Sequence, residues 1–328
     1  MDSKLAEILE DLDHKRITRE TAIQLLLSLI ENSKNTQTRK KSIIYLNNLQ
    51  ENQDFFFKLL ENLLVTDANS KVRTLAAHII RRRFLERALI PMAWAITHES
   101  DYECLIEIIE TLIEINTHKA QTIIWNRIQE IIERKYLDKH RNYSNKEFRK
   151  NITTLFQGKE YQDFPIERLA EILINYLTIK RLTERFYTVF FEWEQGVITK
   201  LDLSEIGWNV NVWRQKYAER IKNLSEIPEI KRLTYVKELN LNNNHLTNIR
   251  TLSTIGSITH LYLANNKLKE KKNIDYLKRM PKLKFLDIAG NKLAEVVEKN
   301  EIEDVYIVKH HGLSKNVNQF NLLYRLHT

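Results

Sequence analysis

The chain of 328 residues contains one cysteine, four prolines and six glycines. A single cysteine, Cys104, excludes an internal disulfide and is typical of a protein from the reducing cytoplasm. No run of about 18 apolar residues occurs, which argues against a membrane-spanning helix. The acidic, amphipathic start of the chain does not resemble a signal peptide. We therefore expect a cytoplasmic protein that does not bind a membrane.

Motifs that carry catalysis or bind cofactors are also missing. The sequence contains no glycine-rich nucleotide-binding loop, no nucleophile elbow, no H-E-x-x-H zinc motif and no paired C-x-x-C. We predict that the chain is not an enzyme and uses no cofactor or metal. An enzyme would need a deep cleft near residues 190–215, where Trp193, Trp208 and Trp213 lie. We interpret these tryptophans instead as contacts that join two parts of the chain.

The first half of the chain is predicted to be helical. Glycine is absent from its first 157 residues, and Pro91 is the only proline among them. Apolar residues recur there with the spacing of a helix that packs on one face. The clearest stripes run from Phe56 to Leu64, from Val72 to Ile80 and from Leu105 to Ile113.

Two of these segments resemble the second half of a HEAT repeat. In TDANSKVRTLAAHIIRRR (66–83), an aspartate, Asp67, precedes Arg73 and a helix that is rich in small residues. TQTRKKSIIYLNNL (36–49) is a looser match, with Arg39 in the place of Arg73. The resemblance implies an α-helical superhelix in which Asp67 and Arg73 form a structural turn–helix pair.

Three segments of the second half share another pattern. They are VKELNLNNNHL (236–246), ITHLYLANNKL (258–268) and LKFLDIAGNKL (283–293). Each has apolar residues at its first, fourth, sixth and eleventh places and asparagine at its ninth. The pattern is similar to the leucine-rich repeat, in which each repeat forms one short parallel strand. An asparagine side chain can bond the backbone of the turn that follows, so the ninth-place asparagines are predicted to be structural.

Two weaker matches extend this array, and they lie at 198–208 and 302–310. We predict five parallel strands in a short α/β solenoid that follows the HEAT-like helical array. The two domains are predicted to span residues 1–195 and 196–328. The repeats resemble those of intracellular phosphatase-regulator and scaffold proteins, and this resemblance implies protein binding without catalysis.

Residues between the inward leucines face the other side of the predicted sheet. The third places hold Lys200, Glu238, His260, Phe285 and Asp304. The fifth places hold Asp202, Asn240, Tyr262, Asp287 and Tyr306. Aromatic anchors beside charged residues are typical of protein-binding hot spots. We predict a partner-binding surface composed of His260, Tyr262, Phe285, Tyr306, Glu238 and Asp287, unless the C-terminal tail NVNQFNLLYRLHT covers these rings.

Basic residues provide an alternative function. Clusters at 39–41 and 81–83 occupy equivalent places in the two HEAT-like segments, and 133–150 is the most basic stretch. If the repeats stack, a basic strip composed of Arg39, Lys40, Arg81, Arg82 and Arg83 could bind nucleic acid. Residues 1–120 hold slightly more acidic than basic residues, so a solvated helix face is favoured there.

Overall fold

The computed structural model describes residues 3–49, 52–133, 143–186, 189–206, 220–298 and 301–311. The chain divides into two compact units. The first consists of Met1–Lys135 and Glu160–Leu173, and the second consists of Tyr136–Lys159 and Ile174–Thr328. The predicted domain boundary after residue 195 lies where the sequence pattern changes, whereas the two units are defined by packing. The boundary therefore stays a prediction.

The first unit is built from helices joined by short turns. Those before residue 134 are α1 (Ser3–Asp13), α2 (Arg19–Asn32), α3 (Thr36–Leu49), α4 (Gln53–Thr66), α5 (Ser70–Arg83), α6 (Leu89–His98), α7 (Tyr102–Ile115) and α8 (His118–Glu133). Polar side chains cap several of them: Asn52 accepts the Phe55 N–H at the start of α4, and Asp101 accepts the Cys104 N–H at the start of α7.

The apolar stripes of these helices form the core of the first unit. Phe56, Leu60, Val72 and Ile80 are fully buried, as the helical spacing predicts. Helix α4 packs against α5, and α6 packs against α7. In addition, α5 contacts both α3 and α7, while α6 contacts both α4 and α8. Successive helical pairs therefore pack side by side in two layers.

The second unit combines helices with one sheet. Its elements are α9 (Tyr143–Leu155), the later part of α10 (Ile166–Arg185), β1 (Phe190–Glu194), β2 (Val197–Asp202), β3 (Glu238–Asn240), β4 (His260–Tyr262), α11 (Lys272–Lys278), β5 (Phe285–Asp287), α12 (Leu293–Val296) and β6 (Tyr306–Val308). The strands lie in chain order, with β1 antiparallel to β2 and the rest parallel. A helical region followed by a mostly parallel sheet agrees with the predicted α and α/β classes.

The register of the sheet follows the leucine pattern. Leu201, Leu239, Leu261 and Leu286 pair in turn across β2 to β5, and all four are fully buried. Their side chains enter one continuous apolar core beneath the sheet. Because side chains alternate along a strand, the residues on either side of each leucine lie on the opposite face.

The last strand pairs two residues away from its predicted register. The sequence alignment places Tyr306 beside Asp287, whereas the structure pairs it with Phe285 and leaves Asp287 opposite Val308. Asp304, predicted to lie in the third column, has a φ of 57° in the turn before β6. A shift of two residues keeps every side chain on its own face, so apolar alternation does not exclude it.

The ninth-place asparagines bond the turns that follow the strands. Asn266 donates to the carbonyl oxygens of Leu241 and Leu263, both at 2.9 Å, and its Oδ1 accepts the Leu246 N–H at 3.0 Å. Asn291 forms the corresponding three bonds one turn later. Each asparagine thus joins two consecutive turns, in agreement with its predicted structural role.

The residue before each asparagine has a left-handed backbone conformation. The φ angles of Asn243, Asn265 and Gly290 are 57°, 55° and 71°. Glu205 has a φ of 54° at the same place after β2. Asparagine and glycine tolerate this conformation better than other residues, which explains why the sequence pairs them with the ninth-place asparagine.

Candidate functional site

Four aromatic rings lie side by side on the face of the sheet opposite the leucine core. We call His260, Tyr262, Phe285 and Tyr306 the aromatic row. The Phe285 ring centroid lies 5.7 Å from His260, 5.2 Å from Tyr262 and 5.9 Å from Tyr306. The parallel register of β4, β5 and β6 produces this arrangement, because it places His260, Phe285 and Tyr306 opposite one another. The structure therefore brings together all four rings that the sequence assigns to the predicted surface.

The aromatic row is accessible from one side. Tyr306 is 69% exposed, while His260, Tyr262 and Phe285 are half-buried. Contacts of this kind between rings stabilise by about 0.5–1.5 kcal/mol each, beyond the burial of their area. The rings thus support one another and present a pre-arranged apolar surface.

Charged residues continue the third-place column beyond the rings. Lys200 on β2 lies 3.3 Å from Glu238 on β3 and 3.5 Å from Glu192 on β1. We call these three residues the charged end of the row. Burial alone lowers the pKa of Lys200, but the two carboxylates raise it above its usual value. Lys200 is therefore a firmly protonated cation between two acids.

Tyr262 lies where the rings meet the acidic residues. Its pKa is raised by burial first and then by the charges of Glu238 and Asp287. A raised tyrosine pKa keeps the phenol neutral. The middle of the row is therefore aromatic and neutral, with Glu238 and Asp287 nearby.

Asp287 has a different position from the one predicted. It is fully buried, and its Oδ1 accepts the Ala289 N–H at 3.1 Å. Its Oδ2 lies 2.9 Å from Nε2 of His311. In this structure Asp287 stabilises the turn after β5 and is not an exposed flank of the row. The sequence favours a solvated or turn role for His310 and His311 and does not predict the contact of His311, three residues after β6, with Asp287.

Asp202 and Asn240 precede Asp287 in the fifth-place column. Both are buried, and Asn240 donates to Asp202 at 3.1 Å. Each also accepts a backbone N–H two residues further on, from Ser204 and Asn242 respectively. This part of the column supports the turns, so the exposed row consists mainly of third-place residues.

The first unit uses several residues of the predicted basic strip internally. Arg39 donates to the Ile30 carbonyl at 2.7 Å and forms an ion pair with Asp67. Arg73 occupies the equivalent place in α5 and pairs with both carboxylate oxygens of Glu99, at 2.7 and 2.8 Å. Each arginine therefore binds an acid that lies in the turn after the next helix.

The pKa of Glu99, the acid that pairs with Arg73, is strongly lowered. It is 8% exposed and accepts the N–H groups of Ser100 and Asp101, both at 2.8 Å. Burial alone raises the pKa of Glu99, but the bonds from Arg73 and from these N–H groups lower it to about 2. The carboxylate stays ionised and structural.

The Asp67–Arg73 pair differs in detail from the prediction. Arg73 donates to the Asp67 backbone carbonyl at 2.7 Å, not to its carboxylate. The Asp67 carboxylate binds Arg39 and the N–H of Asn69. Asp67 and Arg73 therefore form the predicted contact between turn and helix through the Asp67 backbone. The ion pair of Asp67 is with Arg39, in the preceding helical pair.

Arg81 is surrounded by acids of α7. Its guanidinium lies 2.5 Å from Glu110, 2.7 Å from Glu114 and 3.4 Å from Glu107. Hydrogen bonding to Glu114 raises the pKa of Arg81 above its already high value. The positive charge of Arg81 is thus more than matched locally.

The remaining cations of the strip have mixed surroundings. Arg83 donates to the carbonyl and side-chain oxygens of Asn47 and to Gln53, at 2.5–2.9 Å. Lys40 is half-buried and Arg82 is exposed, and neither forms an ion pair with a described residue. Half of the basic stretch 133–150 lies outside the described residues, which end at Glu133 and resume at Tyr143.

The tryptophans at the predicted junction can be followed only in part. The Trp193 ring lies 5.2 Å from Phe148 and 6.1 Å from Phe191, all within the second unit. Trp208 and Trp213 lie outside the described residues. A pocket of about 270 Å³ is found elsewhere, in the first unit, where Trp94 and His98 stack beside the Arg73–Glu99 pair.

Within the ranges that the structure describes, no three His, Cys, Asp or Glu side chains form a set that could hold a metal ion. None of the described helices combines the length and apolar character that spanning a bilayer requires.

No protein-family model matches the chain, and no curated protein matches it.

Proposed function

We propose that the chain is a non-catalytic adaptor or scaffold that binds a protein partner on the aromatic row. The observation that carries this proposal is the contiguity of four rings from three adjacent strands on one accessible face. Aromatic side chains in a pre-arranged, partly desolvated patch supply most of the energy at protein interfaces. We further propose the cytoplasm as its location, since one cysteine suits a reducing compartment.

We propose that the second unit contains leucine-rich repeats and that the first contains HEAT-like repeats. The asparagine bonds between consecutive turns and the in-register leucines support the former. The equivalent ion pairs Arg39–Asp67 and Arg73–Glu99 support the latter. Repeat arrays expose extended surfaces and are common docking scaffolds, which fits the proposed adaptor role.

Nucleic acid remains the alternative partner, but the contacts favour it less. Binding of phosphates requires cations that are free to release counterions. Arg39, Arg81 and Arg83 use their guanidinium groups within the first unit. Lys40, Arg82 and Arg83 of the predicted strip form no ion pair with a described residue, although Arg83 is hydrogen-bonded to Asn47 and Gln53.

The proposed function can be tested by quantitative recovery of partners. Wild-type protein and the double variant Phe285→Ala/Tyr306→Ala are used as bait in native lysate, after nuclease treatment and at low and high salt. Tyr235→Ala is the matched control, because Tyr235 is an exposed tyrosine of the same unit outside the row. Two hot-spot rings contribute about 2 kcal/mol or more each, so we expect a loss of affinity for the specific partner of about 30-fold for one ring and up to about 1000-fold for both.

The control variant and the treatments separate the alternatives. Tyr235→Ala should recover the same protein as wild type, and nuclease should not release it. Equal recovery by the double variant would contradict the assignment of the row. Loss of all captured protein on nuclease treatment would instead support nucleic acid as the partner.

A further inference from the structure

The aromatic row is electrically asymmetric along its length. Its rings occupy β4 to β6, and its charged end occupies β1 to β3. At that end two carboxylates, Glu192 and Glu238, share the single ammonium group of Lys200. Among the residues that the structure describes, the charged end therefore carries one more negative than positive charge.

Neighbouring cations do not cancel this charge. Lys237, one place before Glu238, lies 3.1 Å from Glu194 and forms a separate ion pair with it. Lys284 is exposed but lies directly before β5, so it is not one of the third-place residues that form the row. The local excess of acid contrasts with the chain as a whole, whose formal charge is +8.

We infer that the protein segment bound by the row carries an arginine or lysine that completes the charged end, together with an aromatic or aliphatic residue that covers Phe285 and Tyr306. This inference rests on the proposed function and names the chemistry of its partner. A partner cation beside Glu238, on its His260 side, would equalise the charges there, and its apolar stem would lie against the His260 ring. Phosphates would meet the same carboxylates and be repelled, which favours a protein over a nucleic acid on this face.

The sheet also defines the spacing of the two anchors. Glu238 on β3 and Phe285 on β5 are two strands apart, which corresponds to about 10 Å across a sheet. An extended segment that crosses the strands covers this distance in about three residues. A helical segment covers it in about seven residues, or two turns. The basic residue and the apolar anchor of the partner are thus about 10 Å apart.

A selection from random peptides tests the inference. Phage-displayed 12-residue peptides are panned against the full-length protein, with Phe285→Ala/Tyr306→Ala as the counter-selection. Enriched peptides should combine an apolar anchor with Arg or Lys at the stated spacing. The selection is repeated with Tyr306→Ala as the counter-selection. This single variant carries the least risk of misfolding, because Tyr306 is the most exposed ring of the row.

A double-mutant cycle then measures the charged contact. The best peptide and its Arg→Ala or Lys→Ala form are titrated against wild type and against Glu192→Gln/Glu238→Gln. We expect the peptide substitution to weaken binding to wild type by about tenfold and to have little effect on the variant. The amide oxygens of glutamine preserve polar contacts to Lys200, so the variant removes charge with little change of shape.

The outcomes distinguish this inference from the proposed function. Peptides that bind through the rings without a basic preference, or an equal loss on both proteins, would overturn the inference and leave the proposed function standing. Absence of any enrichment of wild type over Phe285→Ala/Tyr306→Ala would overturn the proposed function itself.

Discussion

At the residue scale, the two consecutive asparagines of LYLANNKL (261–268) have separate tasks. Asn265 adopts the left-handed conformation and donates to Asn243 at 2.8 Å, in the same place of the preceding turn. Asn266 is buried and bonds the backbone of two turns. One residue therefore lets the chain turn, and the next supplies the polar groups that the turn requires.

Gly290 occupies the Asn265 place in the following turn. A Cβ added to Gly290 would lie 2.2 Å from the Asn265 side-chain oxygen. The φ of Gly290 is 71°, where an L-residue other than asparagine or aspartate is strained by about 1 kcal/mol. We therefore expect Gly290→Ala to lower the free energy of unfolding by about 2 kcal/mol, measured by chemical denaturation.

Gly158→Ala provides the matched control. Gly158 has a φ of 72°, but no atom lies within 4 Å of its added Cβ. It should show the backbone strain alone, so its loss should be about half that of Gly290→Ala. Equal losses for the two variants would mean that the contact with Asn265 costs nothing.

At the scale of elements, polar ladders connect successive turns in both units. The second unit uses asparagine amides, and the first uses arginine–carboxylate pairs. Both devices satisfy buried polar groups of one turn with groups from the next, which a stack of short elements needs because its turns lie inside. Removing one member should therefore cost more than an exposed contact of the same type.

Asn266→Ala tests the asparagine ladder. The substitution leaves the buried Leu246 N–H without its partner, while the carbonyl oxygens of Leu241 and Leu263 lose one bond each and keep those from Asn244 and Asn291. A buried group left unsatisfied costs about 1–3 kcal/mol, so we expect a loss of about 2 kcal/mol in the free energy of unfolding. The adjacent Asn265→Gly keeps the left-handed conformation and should lose less than about 1 kcal/mol. Similar losses for both variants would show that the burial of Asn266 has no special role.

The Arg73–Glu99 pair predicts a dependence of stability on pH. The pKa of folded Glu99 is about 2, below the unfolded value near 4.5. A lowered pKa contributes stability above the unfolded pKa, and this contribution is lost as pH falls from about 4.5 to about 2. We expect Glu99→Gln to lose about 3 kcal/mol at neutral pH and to show a flatter acid limb in pH-dependent urea unfolding. Glu86→Gln, at an exposed site, is the control and should match wild type; an unchanged acid limb in Glu99→Gln would contradict the assignment.

At the scale of the whole molecule, the sequence predicts the secondary-structure elements and the aromatic row well. It predicts poorly the contacts between residues that are distant in the chain. Apolar spacing is local, so it indicates the helices and the strands that pair at Leu239, Leu261 and Leu286. It does not fix β6, because a shift of two residues keeps both faces unchanged. It also does not show that Asp67 neutralises Arg39 across 28 residues, because no local pattern encodes that contact.

These distant contacts change the meaning of the positive net charge. Arg39 and Arg81 each contribute to the formal charge of +8, but their guanidinium groups bind carboxylates of the first unit. Phosphate contacts by free cations make the affinity for nucleic acid fall steeply with salt. The slope of log affinity against log salt concentration is proportional to the number of these contacts.

We expect weak binding of duplex DNA, with the same salt slope for wild type and Arg81→Gln, measured by fluorescence anisotropy. Arg82→Gln is the informative partner variant, since Arg82 is exposed and has no ion pair to a described residue, and it should reduce the slope by about one if the strip binds at all. If the slope changes in Arg81→Gln and not in Arg82→Gln, Arg81 leaves the α7 carboxylates to bind phosphate. The basic strip would then be favoured over the aromatic row as the binding surface.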